Sequence, residues 1–279
     1  MHTFHTPNPV QLRVELWQGQ LNVHAGDTDT TTVELRPSRG DGAAVDLIDH
    51  AKVEQRGDEI VVLMPKGKNG LFKARAEVEA TIRVPNGSSA TLESASADIK
   101  TQGELGDVKA SSGSGDVSVD HAADIEVRTG SGDITTGTVT GSCDIKCGSA
   151  DVRVGSVGRS ADIVAGSGDV VIDTVTANLK VKTGSGDVVV KTVGDGIDAM
   201  AGSGDLLLKR VDHGQVKLKT GSGDIAIGVA QGTAAYLDIM TVTGDVLSHL
   251  DASDAPAGGD LTAEIDIKSG SGDVLLQRA

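Results

Sequence analysis

Ala177-Asn178-Leu179-Lys180-Val181-Lys182-Thr183-Gly184-Ser185-Gly186-Asp187-Val188-Val189-Val190-Lys191-Thr192-Val193-Gly194 decides the fold. Apolar residues alternate with polar ones on both sides of a Gly-Ser-Gly-Asp centre, the period of a β-strand with one face turned inward. Glycine supplies positive φ or close backbone approach at a tight corner, and Ser and Asp side chains accept its free N–H groups. The stretch therefore reads as strand, corner, strand, second corner.

The same unit recurs through most of the chain, which makes it a repeat protein. Gly-Ser-Gly-Asp ends at Asp116, Asp133, Asp169, Asp187, Asp205, Asp224 and Asp273, and degenerate copies keep the phase at Asp98, Asp151 and Asp245. Between Asp98 and Asp224 the steps are 18, 17, 18, 18, 18, 18 and 19 residues, after which they stretch to 21 and 28. Apolar residues follow the aspartate at one and three places, as in Val152/Val154, Val170/Ile172 and Val188/Val190. They precede it at eight and six places, as in Cys143/Ile145, Leu179/Val181 and Val216/Leu218. A further apolar residue six places on, Val139, Val157, Val175, Val193 or Val211, is expected to plug the second corner.

One such unit buries too few side chains to offset the entropy of ordering it, so units must stack and hydrogen-bond to one another. The expectation is an all-β, single-stranded parallel β-solenoid of ~18-residue rungs at about 4.8 Å per rung. Right-handed crossovers are the rule for parallel strands, so the coil is expected to be right-handed. Residues 94–279 form the regular repeats, with a loop inserted at 248–261, and residues 1–93 form irregular rungs that cap them within one continuous domain. In that first part Leu12 to Leu16, Leu21 to Val23, Val33 to Leu35, Ile60 to Leu63 and Val78 to Val84 read as strands. Gly19 to Val23 and Gly57 to Val62 read as eroded copies of the corner plus strand, and helix is nearly absent.

Composition narrows the function. The 279 residues carry a formal charge of −15, 37 glycines and only four aromatic residues, Phe4, Trp17, Phe72 and Tyr236. An acidic chain without stacking rings is a poor match to nucleic acid. No apolar run is long enough for a membrane span and no secretory leader is read, so the expected compartment is the cytoplasm. Cys143 and Cys147, four apart on one strand, should lie about 13 Å apart, too far for a disulfide. They read as small core residues.

The serial Gly-Ser-Gly-Asp corners, the opening Val14-Glu15-Leu16-Trp17-Gln18-Gly19 and the late Gly232-Thr233-Ala234-Ala235-Tyr236-Leu237-Asp238 resemble the bacterial putative-adhesin β-strand-repeat family, also called toastrack. The likeness covers nearly the whole chain. It implies a parallel β-solenoid associated with the cell envelope or envelope-stress systems, and it carries no catalytic residues over. Many relatives have an export signal or anchor that is not read here.

The residues leave four functional readings. The first is a non-enzymatic structural or interaction scaffold without cofactors, binding a protein partner through flat faces or through the basic loop of Lys66, Lys68, Phe72, Lys73 and Arg75. The second is a calcium-stabilised β-roll using Asp116, Asp133, Asp169, Asp187, Asp205 and Asp224, because Gly-rich Asp repeats can hold Ca²⁺ between rungs. The calcium nonapeptide, however, separates its second glycine from the aspartate, and here the two are adjacent. Lys180, Lys182, Lys217, Lys219 and Lys268 lie on outward positions leading into the corners, where they screen the carboxylates. The third is a polysaccharide-binding or polysaccharide-degrading β-helix, although the seven histidines share no repeat phase and no Ser-His-Asp pattern is present. The fourth is a filament that self-associates through the solenoid ends.

Overall fold

The computed structural model describes residues 1–38, 42–65, 76–250 and 261–279. Packing divides the chain into two units, Met1–Thr140 and Gly141–Ala279.

Unit 1 contains β1 (His2–His5), β2 (Gln11–Leu16), β3 (Gly19–Gly26), β4 (Thr30–Pro37), α1 (Gly42–Asp49), β5 (Lys52–Arg56), β6 (Glu59–Leu63) and β7 (Val78–Pro85). It continues with β8 (Ser89–Ser94), β9 (Asp98–Glu104), β10 (Val108–Ser112), β11 (Val117–Ala122), β12 (Ile125–Thr129) and β13 (Ile134–Val139). One sheet runs in the order β1-β4-β7-β3-β9-β11-β13 and the other β5-β6-β2-β8-β10-β12. Neighbours are parallel except at the start, where β1 pairs antiparallel with β4, β4 with β7, and β5 with β6. The five strands expected over residues 12–84 all form.

Two features of unit 1, the Gly57 turn and a helix, differ from the sequence reading, and Gly19 agrees with it. Gly57, at φ 65, does not turn a solenoid corner. It sits in the hairpin between β5 and β6, although β6 itself then runs parallel to β2 as a rung strand would. Gly19 is a true corner: its φ is 115, and a Cβ there would lie 2.1 Å from the Val78 carbonyl oxygen. Helix α1 was not foreseen; it rests on β4 and buries Ala44. The N-terminal strand is fixed by a buried hydroxyl pair, Thr6 to Thr31 at 2.9 Å, and the Trp17 indole N–H donates to the Met64 carbonyl at 3.0 Å.

Unit 2 contains β14 (Cys143–Ser149), β15 (Val152–Val157), β16 (Ala161–Ser167), β17 (Val170–Val175), β18 (Asn178–Ser185), β19 (Val188–Val193) and β20 (Gly196–Ser203). It ends with β21 (Leu206–Val211), β22 (Gly214–Ser222), β23 (Ile225–Val229), β24 (Ala234–Thr243), β25 (Val246–Ser248), β26 (Thr262–Ser271) and β27 (Val274–Arg278). Each rung gives one strand to each of two parallel sheets, in the orders β14-β16-β18-β20-β22-β26-β24 and β15-β17-β19-β21-β23-β27-β25.

Matching side chains form columns, as a stack of identical corners requires. Val152 lies against Val170, Val170 against Val188, Val188 against Leu206, and Leu206 against Ile225, all buried. The second-corner valines Val157, Val175, Val193 and Val211 form another buried column.

The stretched spacing near the C-terminus has an origin beyond an inserted loop. After β23 the chain skips a position, lays β24 and β25 at the end of the stack, and returns so that β26 and β27 fill the gap. Spatial order and chain order are therefore exchanged for the last two rungs. Residues 251–260, most of the expected insertion, lie outside the described residues.

Candidate interaction surface

The corner aspartates form a hydrogen-bonded ladder. In unit 1 the Asp116 N–H donates to Asp98 Oδ1 at 3.0 Å and the Asp133 N–H to Asp116 Oδ1 at 2.9 Å. In unit 2 the same bond links Asp169 to Asp151, Asp187 to Asp169, Asp205 to Asp187, Asp224 to Asp205, Asp273 to Asp224 and Asp245 to Asp273, at 2.7–3.0 Å. Each carboxylate thus satisfies a backbone donor that the corner would otherwise strand. The second glycine of the motif is needed for close approach: a Cβ on Gly186 would lie 2.1 Å from the Gly168 carbonyl oxygen, at φ 133. Four places before the aspartate, Ser112 and Thr129 accept the N–H of Gly115 and Gly132, closing the turn from inside.

Among the described residues no three His, Cys, Asp or Glu side chains converge as a metal site. The six aspartates offered for calcium stand one per rung, and Asp116, Asp169, Asp187, Asp205 and Asp224 each spend an oxygen on the N–H of the neighbouring rung's aspartate. Cys143 is buried, and burial, followed by the Asp144 charge, pushes its thiol up to about 12. Cys147 is half-buried, and burial raises its thiol too. His121 Nδ1 lies 3.1 Å from the adjacent Asp120 carboxylate. The basic loop of Lys66, Lys68, Phe72, Lys73 and Arg75 lies outside the described residues.

Sequence reasoning saw the face lysines but not how they line up. Register places Lys146, Val164, Lys182, Met200, Lys219, Lys268 and Met240 in one outward column of unit 2. The lane holds four cations and three apolar residues, with no carboxylate. Lys146 and Lys268 reach sideways to Asp144 and Asp266 on their own strands, at 3.0 and 3.5 Å. Lys182 and Lys219 have no ion-pair partner among the described residues. Of the five lysines expected to screen the corner carboxylates, Lys268 pairs with Asp266 within the sheet face.

Beside this lane runs a strip without side chains. Gly166, Gly184, Gly202, Gly221 and Gly270 stack so closely that a Cβ on any of them would lie 2.5–2.6 Å from the carbonyl oxygen of the rung before. The bare strip and the lane together form a shallow, solvent-open depression of about 460 Å³ where Met200, Lys219, Met240, Val242 and Lys268 meet. In unit 1 another open depression, of about 580 Å³, gathers Glu77, Glu79 and Asp98. Among the described residues no basic or imidazole group lines that one. Among the described residues no helix is long and apolar enough to cross a membrane.

Two parallel sheets bound by a laddered Gly-Ser-Gly-Asp corner define a β-solenoid repeat protein of the toastrack type. The Toastrack DUF4097 family model matches residues 11–277, and the chain belongs to that family. No curated protein sequence matches it. Among solved structures it is similar to a "Putative lipid binding protein" from Parabacteroides distasonis, at 12% identity and TM-score 0.51, over 99% of this chain and 96% of that one. It also aligns with a "putative adhesin" from Parabacteroides merdae, at 11% identity and TM-score 0.46, over 98% and 94% of the two chains. A "putative adhesin" from Bacteroides fragilis aligns at 11% identity and TM-score 0.40, over 99% and 95%.

Proposed function

We propose that this protein is a non-enzymatic interaction scaffold that presents the outward lysine lane of unit 2 to an acidic protein partner. The observation that carries the reading is the lane itself: in a chain of net charge −15, Lys182 and Lys219 stand in register without an ion-pair partner among the described residues. Long cations free of local partners cost no internal ion pair when they bind elsewhere, and a field opposite to that of the whole molecule orients an incoming acidic surface. Rungs hydrogen-bonded on both sides hold the charges at fixed spacing, so little order has to be imposed on binding. The toastrack resemblance directs the search for that partner to envelope and envelope-stress systems.

The test is affinity purification with the wild-type chain and with the double variant Lys182→Glu/Lys219→Glu, both first shown to melt alike. Loss of the captured acidic partner from the variant, and weakening of wild-type capture by salt, are expected. Capture of the same partner at equal yield by the variant overturns the reading.

A further inference from the structure

We infer that the protein forms a two-fold dimer in which the β24–β25 rung of one copy pairs edge to edge with the same rung of a second copy. β24 pairs only with β26 and β25 only with β27, so both present an outer edge with no strand on it among the described residues. Inward positions sealed elsewhere are open here. Ile265, Ile267 and Val274 are buried, whereas Leu237 and Val246, which continue their columns, are 42% and 47% exposed.

The outward face of this rung is mostly apolar as well, with Asp238 its one charge. Met240 and Val242 are 61% and 79% exposed, and Tyr236 and Leu247 are also uncovered. On the two preceding rungs of β24's sheet the corresponding outward positions carry Gln215, Lys217 and Lys219, then Glu264, Asp266 and Lys268. A rung with apolar side chains exposed on both faces and bare strand edges has the makings of an interface.

Three observations select a second copy as the occupant. First, β24 is self-complementary. Antiparallel pairing about a two-fold axis through Ile239 sets Ile239 against Ile239, Leu237 against Thr241, Tyr236 against Val242 and Asp238 against Met240, so its only charge meets a thioether. Second, head-to-tail growth would need the edges at the start of unit 1, which are unsuited to it. β1 is four residues long, and β5 carries Lys52, Glu54 and Arg56 tied together in ion pairs. Short and charged edges are what block strand addition, whereas β24 has one charge in ten residues and neither lysine nor proline. Third, six half-exposed apolar side chains offer roughly 500 Å² per copy, and two such ends reach the ~1,000 Å² that a specific interface requires. A two-fold contact closes on itself, so assembly stops at two.

The register makes the test specific to charge sign. Met240 points outward and is largely exposed, so Met240→Glu and Met240→Lys leave the rung intact while placing a charge opposite Asp238 of the other copy. Sedimentation equilibrium of the full chain from about 1 to 100 μM, a range that brackets micromolar affinity, should give twice the 28.4 kDa chain mass for wild type. Met240→Glu should sediment as monomer, with dissociation raised at least about 100-fold by two new like-charge contacts. Met240→Lys should remain dimeric. The inference is overturned by a monomeric wild type, by mass that climbs past the dimer, or by Met240→Glu associating as wild type does. It is equally overturned if wild type is monomeric and floats with vesicles of phosphatidylglycerol and phosphatidylcholine, which would assign the same apolar rung to a membrane.

Discussion

Replacing Asp187 separates the two tasks a corner aspartate could have, accepting a backbone proton and binding a cation. Asp187 Oδ1 accepts the Asp205 N–H at 2.9 Å, while its own N–H donates to Asp169 Oδ1 at 2.9 Å. Asp187→Ala deletes the first bond and keeps the second. A hydrogen bond to a charged acceptor contributes about 1.5–3 kcal/mol, and partial access of water to the corner puts this one near the lower figure. Against that, Asp187 faces a like charge on each side at the rung spacing, which costs about 1 kcal/mol per neighbour at the dielectric of water and less with salt present. The alanine variant should therefore stay close to neutral at low salt, where relief of the two repulsions offsets the lost bond, and lose about 1.5 kcal/mol near 0.5 M salt, where it no longer does. Asp187→Asn relieves the same repulsion but keeps an acceptor oxygen, so it should be more stable than the alanine variant by about 1 kcal/mol at both salt concentrations. Urea unfolding midpoints at the two salt concentrations, with and without millimolar-scale calcium, read all of this. Asparagine as costly as alanine, or a calcium-dependent rise in wild-type stability that Asp187→Asn abolishes, would refute the acceptor argument and restore a cation to the ladder.

Gly204→Ala should destabilise unit 2 by more than about 2 kcal/mol, because φ 142 is strained for alanine and its Cβ would lie 2.2 Å from the Gly186 carbonyl oxygen. Gly232→Ala, with φ 82 but open space around it, should cost only about 1 kcal/mol in the same urea titration. Since burial holds the Cys143 thiol at about 12, its thiolate is scarce at pH 8. A chromogenic disulfide reagent should then titrate Cys147 first in the native protein and Cys143 only after denaturant is added. Replacing Lys66, Lys68 and Lys73 together with Glu should abolish partner capture if the basic loop is a contact, and unchanged capture would remove the loop from the interaction surface.

The regular rungs were legible because one physical demand, a tight corner stacked on an identical corner, writes the same residues every 18 positions. Val152, Val170 and Val188 could be placed in one column from spacing alone, and the structure puts them there. The start of the chain was less legible, since antiparallel pairs such as β5 with β6 need no repeat and leave no period to find. Gly57 followed by Asp58 suits a hairpin as well as an eroded corner, and only the partner strand decides between them. Helix α1 spans eight residues and buries little beyond Ala44, too short a stretch to establish a 3.6-residue period. The lysine lane was half visible: alternation fixes which face Lys182 and Lys219 occupy, but their alignment with Met200 and Lys268 depends on register across strands. The exchange of the last two rungs left no compositional trace, because spacings of 21 and 28 fit a long loop as well as a skipped position.

That exchange dictates an order of events during synthesis. Residues 234–248 leave the ribosome before residues 262–278, yet among the described residues every strand pairing they make is with those later residues. The penultimate segment must wait, undocked, until the tail threads in beneath it, as the last stone of an arch locks those already raised. A nonsense codon between positions 250 and 262 would remove both partner strands and leave that segment with nothing to dock on, handing proteases a loose greasy flap.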